Sequence, residues 1–131
     1  MLMLDTVPFI VPMKECTAKK NFSYNEWFFP AHFPNNPIVP GSLQIEAYTQ
    51  AVGVTLLASK NNKNNYADLL LVSVDRVRFY KSIRPGDNLS IKVIVEKVSM
   101  GMATASVRGY LGTELVSECK IGYKMKDVKD G

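Results

Sequence analysis

The chain is poor in the residues that metal and redox chemistry usually needs. It has one histidine, His32, and two cysteines, Cys16 and Cys119, far apart in sequence. A structural zinc centre takes three or four such ligands, so no zinc site can be assembled from this set, and both cysteines read as reduced packing residues. No apolar run reaches the roughly eighteen residues of a membrane span. The N-terminal MLMLDTVPFIVPM contains Asp5, Pro8 and Pro12 and no basic lead, so a signal peptide is not expected either and a cytoplasmic setting is. Internal repeats, low-complexity tracts and linkers are missing. So are the helix-turn-helix, zinc-finger and aromatic-glycine patterns of nucleic-acid binders, and no nucleic-acid partner is expected.

What remains is an ordinary globular composition. With 131 residues, 47% hydrophobic and 21% charged, the chain reads as a single domain over residues 1–131, long enough to bury about two-thirds of its unfolded surface. The net charge of +4 permits an anionic partner without naming one. Its densest basic segment is DRVRFYKSIRPGD, with Arg76, Arg78, Lys81 and Arg84; charge alone is equally consistent with a solvated strand edge.

Ser42 to Ser59 has no proline and a single charged residue, Glu46, which predicts a helix of about five turns. Its apolar residues run nearly all round, the mark of a buried helix. The polar run Asn61 to Asn65 reads as the loop that ends it. Beyond it the rhythm becomes alternating: Leu69 to Ile83, a strand begun by Leu89, Ile91, Val93 and Val95, then Thr104 to Leu111 and Leu115 to Met125. Arg84-Pro85-Gly86-Asp87 suits a type II turn. One short strand near Met13 to Ser23 precedes the helix, and residues 126–131 read as a charged tail. The sum is an α+β domain with an antiparallel sheet wrapped around one long helix, leaving an edge strand that a second copy could cover.

The segment HFPNNPIVPGSLQIE concentrates the chemistry. Pro34, Pro37 and Pro40 recur with the period of polyproline II, so His32 is expected on a stiff, extended mount. Pro40 and Gly41 precede the helix, whose first N–H groups have no intrahelical partner. Glu46, on the second turn, would be enclosed by apolar neighbours, and Gln50, four residues on, faces the same way and can hold its carboxylate. Desolvation there would favour the protonated carboxyl, which suits a proton donor near neutral pH. The bland readings stand beside this one: His32 as an aromatic packed beside Phe33 and Trp27-Phe28-Phe29, and Glu46 as a carboxylate that reaches the surface through a gap.

The same segment, AHFPNNPIVPGSLQIEAYTQ, resembles the signature GHFPGxPIMPGVLxxEAMAQ of FabZ-type 3-hydroxyacyl-acyl-carrier-protein dehydratases. NEWFF is similar to that family's NEPFF, and DRVRFYKSIRPGD to its xxxRFRRPVxPGD. The similarity covers about residues 21–125 without gaps between His32 and Glu46. The resemblance implies the hotdog fold and a homodimer with active sites at the interface, His32 of one subunit facing Glu46 of the other, with further assembly into a hexamer open. It implies reversible dehydration of 3-hydroxyacyl chains on an acyl-carrier protein, in fatty-acid or related lipid or polyketide synthesis, with no metal or redox cofactor. His32 would be the base, Glu46 the acid, Gly41 the oxyanion donor, and Gln50 and Pro40 their supports. Phe33, Tyr48 and Trp27 are candidates for the acyl channel, and Arg76, Arg78, Lys81 and Arg84 for docking the acidic carrier. Aspartate at position 46 would instead have marked the isomerising FabA type.

Departures from the pattern fall around the pocket: Ala31 and Asn35 stand where the family has glycine, Ser42 where it has valine, Tyr48-Thr49 where it has Met-Ala, and Trp27 where it has proline. They bear on the acyl chain accepted. Two rival functions stand beside this one. A hotdog thioesterase would use Glu46 to activate water, and the intact His-Phe-Pro segment argues against it. A non-catalytic acyl-binding homologue would need neither His32 nor Glu46.

Overall fold

The computed structural model describes residues 3–23, 26, 37–58 and 69–126. Among these residues six strands and one helix follow in the order β1 (Thr6–Val11), β2 (Glu15–Asn21), α1 (Gly41–Leu57), β3 (Leu69–Phe79), β4 (Asn88–Ser99), β5 (Met102–Leu111) and β6 (Glu114–Met125). The strands form one sheet in the order β1-β2-β4-β5-β6-β3, antiparallel throughout. The sheet curls around α1, the hotdog arrangement.

The inner face carries Cys16 and Ala18 of β2, Leu89, Ile91 and Val93 of β4, Ala103, Ala105 and Val107 of β5, and Val116, Cys119 and Ile121 of β6, all buried against Ala47, Ala51, Val52 and Leu56 of α1. Alternation along β2, β4 and β5 turns these residues inward, and in β6 it is interrupted where Val116 and Ser117 are both buried. Alanines at facing positions let sheet and helix approach closely.

Two features differ from the sequence reading. The segment before Met13 forms a strand of its own, β1, in spite of Pro8; it lies at the sheet edge, where the missing N–H costs no ladder bond. The first long strand stops at Phe79 rather than Ile83, because Tyr80 and Lys81 both donate their N–H groups to the Val116 carbonyl, at 2.8 and 3.2 Å, instead of continuing the ladder. The turn at Arg84 to Asp87 forms as read: Gly86 has φ +94° and the Asp87 N–H donates to the Arg84 carbonyl at 3.1 Å.

The β4–β5 hairpin closes through Met100 and Gly101, with φ of 54° and 78°. A two-residue loop with both φ positive favours asparagine followed by glycine, and methionine is strained there. Met100 is 98% exposed, so its side chain contributes little packing in return. Met100→Asn is therefore expected to stabilise the domain by about 1 kcal/mol, raising Tm by roughly 3–5 °C. Thermal unfolding of the two proteins checks this; an unchanged or lower Tm would count against the hairpin geometry.

Candidate active site

The start of α1 opens on a groove. Pro40, at φ −57° and ψ 141°, is the N-cap, and among the described residues no side-chain hydrogen bond caps the helix. The Leu43 and Gln44 N–H groups donate to the Pro40 carbonyl at 3.1 and 3.2 Å, which leaves the N–H groups of Gly41 and Ser42 at the positive end of the helix dipole. Gly41 lines a groove of about 350 Å³ together with Ile38, Val39, Gln44, Phe79, Tyr80, Lys81 and Ser82. The tip of the Phe79 ring lies so close to Gly41 that a Cβ there would be 2.7 Å from Cζ. Any other side chain at position 41 would push the ring off the helix start.

Phe79 reaches this position because β3 is bulged. Asp75 lies opposite Lys120 but Arg78 opposite Glu118, so Arg76 and Val77 share one step of β6, and Arg76 takes φ 53°. The extra residue reverses the inside-outside alternation. Phe79 then faces the helix, and Arg78 faces outward.

Glu46 is exposed on this chain, whereas the apolar helix had suggested enclosure. The reason is a stripe of Ser42, Glu46 and Gln50, at four-residue spacing, on the side of α1 away from the sheet. Gln50 Nε2 donates to Glu46 Oε2 at 3.0 Å. The amide cannot flip, because Gln50 Oε1 accepts the Met3 N–H at 2.7 Å. The N-terminal segment thus fixes Gln50, and Gln50 fixes the carboxylate.

Tyr48 lies in the core and not on the groove wall. It is fully buried, its hydroxyl bonded to Ser117 Oγ and fitted against Gly109, where a Cβ would overlap it at 1.9 Å. Burial pushes its pKa well above the usual phenol range, opposed by the bond to Ser117. Cys119 is likewise raised by burial, to about 12, which makes it a packing thiol and not a nucleophile.

The four basic residues read from the sequence are all exposed but do not form one patch. Arg76 and Arg78 line a shallow outer-face depression of about 190 Å³ with Ser106, Arg108, Glu118, Cys119 and Lys120. Within it Arg108 pairs with Glu118 at 3.2 Å, and Lys120 pairs with Glu96 at 3.0 Å. The Tyr80 hydroxyl donates to Glu118, and that bond, with Arg108, holds the carboxyl below the usual carboxylate range. Lys81 sits instead at the groove, paired with Glu114 at 3.1 Å. Arg84 belongs to the β3–β4 turn, where its N–H donates to Asp87 Oδ2.

His32, Phe33 and Trp27, with Ala31, Asn35 and the Asn61 to Asn65 loop, lie outside the described residues. Sequence reasoning missed Gln44, Phe79 and Ser117. Gln44 had a signal, a polar residue one turn into an apolar helix, and Phe79 matches the phenylalanine of the xxxRFRRPVxPGD pattern; Ser117 had none without the strand register. Among the described residues, no group of three or more His, Cys, Asp or Glu side chains could hold a metal ion, and no helix is long and apolar enough to cross a membrane.

Residues 1–120 match the FabA-like domain family. A 3-hydroxyacyl-[acyl-carrier-protein] dehydratase FabZ of Halorhodospira halophila is 36% identical, covering 98% of this chain and 84% of that protein. Its namesake from Thermoanaerobacter sp. (strain X514) is 32% identical over 126 residues, 96% of this chain and 87% of its own length. Among solved structures, the dehydratase heterocomplex ApeI:P of Xenorhabdus doucetiae superposes with a TM-score of 0.78 at 14% identity, covering 98% of this chain and 85% of that one.

Proposed function

This chain belongs to the FabA-like family, and we propose that it catalyses the reversible dehydration of 3-hydroxyacyl-[acyl-carrier-protein] to trans-2-enoyl-[acyl-carrier-protein], in the cytoplasm, through His32, Glu46 and Gly41. The observation that carries the assignment to this site is Glu46, displayed beside a helix start whose N-cap is Pro40 and oriented by a Gln50 amide that Met3 locks.

The substrate carbonyl would sit at the groove with its oxygen toward the Gly41 N–H. The His32 imidazole removes a C2 proton, and the charge that develops on the thioester oxygen is met by the Gly41 donor and the helix dipole. The C3–O bond then breaks as the Glu46 carboxyl delivers its proton to the departing hydroxyl, releasing water. The proton held by His32 returns to Glu46, directly or through water, and the pair is reset. Acid–base chemistry suffices, with no cofactor of the enzyme's own.

The stripe of exposed Ser42 and Glu46 with half-buried Gln50, and the place of β3 at the edge of the sheet, support a homodimeric site. That edge strand exposes Leu70, Leu71, Val72 and Val77, and a second copy paired along it would cover them and close the sheet. His32 of one copy then meets Glu46 of the other. The acidic carrier protein would dock on Arg76 and Arg78, which the β3 bulge turns onto the outer face, with Lys81 and Arg84 nearer the groove and the turn.

The test is to supply 3-hydroxyacyl and 2-enoyl thioesters and follow enoyl absorbance beside free thiol. Interconversion from both directions without thiol release is expected; thiol release alone would make the protein a thioesterase. Charge reversal at Arg76 and Arg78 should raise KM for carrier-bound substrate about tenfold or more while leaving small thioester mimics little changed, and the gap should shrink with salt. Equal losses on both substrates would remove these residues from the docking surface.

A further inference from the structure

Three buried polar side chains run in line from the core to the groove. The Tyr48 hydroxyl lies 2.5 Å from Ser117 Oγ, Ser117 Oγ donates to Gln44 Oε1 at 2.8 Å, and Gln44 Nε2 donates to the Val39 carbonyl at 3.4 Å. The direction of the chain is settled by chemistry. The Gln44 oxygen can only accept, so the Ser117 proton is committed to it, and Tyr48 must donate to Ser117. Tyr48 and Ser117 have no exposed surface and Gln44 has 3%. Burying three polar groups where apolar ones would pack is costly unless every one is paired, and here each is.

The sequence makes room for this chain at two separate places. Gly109 has no side chain where the Tyr48 hydroxyl sits. Opposite it, β6 has one extra residue: Gly109 pairs with Ser117 and Tyr110 with Leu115, so Val116 and Ser117 form a bulge and both are buried. That bulge holds both sides of the groove. The Val116 carbonyl accepts the Tyr80 and Lys81 N–H groups of the wall, and the Ser117 hydroxyl reaches the floor through Gln44. The Val39 N–H, meanwhile, donates to the Ile83 carbonyl at 2.8 Å. Val39 is thereby held from both of its peptide groups, two residues before Gly41.

We propose that the chain Tyr48–Ser117–Gln44–Val39 is a positioning device that sets the aim of the Gly41 N–H into the groove, with Ser117 as its hub. The proposal rests on the reading of Gly41 as donor to the thioester oxygen. Side chains acting through another group should change turnover more than binding, since misplacement of a donor by a fraction of an ångström is felt at the developing charge.

The experiment compares the full-length protein with Ser117→Ala, Tyr48→Phe and the double variant, measuring kcat and KM for hydration of a 2-enoyl thioester, Tm, and the backbone amide resonance of Gly41. Ser117→Ala leaves the Tyr48 hydroxyl and the Gln44 oxygen unpaired; it should lower Tm and cut kcat roughly tenfold to a hundredfold with KM within about threefold. Adding Tyr48→Phe removes the stranded hydroxyl and should restore part of the Tm while kcat stays low and the Gly41 resonance stays displaced. A kcat that recovers together with Tm, or a Gly41 resonance that never moves, would overturn the proposal. Should the wild-type protein fail to hydrate enoyl thioesters, the functional reading falls by itself, and the Gly41 resonance alone then decides whether the chain positions the helix start.

Discussion

Replacing His32 by alanine, or Glu46 by glutamine, is expected to lower turnover of 3-hydroxyacyl and enoyl thioesters by about 10²- to 10⁴-fold, the range for loss of a positioned acid or base. The two losses should differ in kind. Removal of the C2 proton needs only the base, so exchange of C2 hydrogen with deuterated water should vanish in His32→Ala and persist in part in Glu46→Gln. Glutamine keeps the shape of Glu46 and can still accept from Gln50 Nε2, so that variant should unfold within a degree or two of wild type. Mass spectrometry of recovered substrate, read beside enoyl absorbance, checks both expectations. Exchange surviving in His32→Ala would take the base role away from the histidine.

The second large effect concerns a single hydrogen atom. Gly41 is the first helical residue, where proline is tolerated because the missing N–H has no intrahelical partner. Pro40, at φ −57° and ψ 141°, already has the extended conformation required before a proline. The obstacle is the Phe79 ring, 2.7 Å from a Cβ at position 41. In a Phe79→Leu background, Gly41→Pro should therefore leave the helix intact while deleting the donor, and kcat should fall about 10²- to 10³-fold relative to Phe79→Leu alone. Gly41→Ala in the same background keeps the N–H and should cost far less. Equal activity of the proline and alanine variants would show that the thioester oxygen is stabilised elsewhere.

Much of this was legible in the chain. The proline-free run after Pro40 announced α1, alternation announced β4 to β6, and Gly86 announced its turn, because each depends on local preferences that neighbouring residues set. What stayed hidden depends on pairing between distant segments. Pro8 and Pro12 disguised β1, whose place at the sheet edge is what makes Pro8 acceptable. Arg76 gives no sign that it will adopt a left-handed conformation, yet that residue decides that Phe79 faces the helix and Arg78 the outer surface. Tyr48 looked like a channel residue on the strength of the family pattern. Its true place follows from Gly109 and Ser117 being opposite each other across β5 and β6, which no local reading supplies.

Glu46 shows the same limit from the other side. A helix apolar nearly all round reads as buried, yet Ser42 and Glu46 lie exposed on a single chain and Gln50 is only half-buried. Physical chemistry resolves the tension if a second copy completes the enclosure, the arrangement in which His32 reaches Glu46 across the interface. Exposed Leu70, Leu71 and Val72 on β3, an edge strand of the sheet among the described residues, would supply the seam for that pairing.

The most direct measurement of this account is subunit complementation. His32→Ala and Glu46→Gln, each inactive alone, are co-expressed so that mixed dimers form, and turnover of a 2-enoyl thioester is measured. With sites built from two copies, random pairing places half the chains in mixed dimers, each with one intact site of two, and about a quarter of wild-type activity should return. If mass spectrometry finds the mixed dimers and their activity stays at the level of the single variants, His32 and Glu46 do not meet across the interface and the account is wrong.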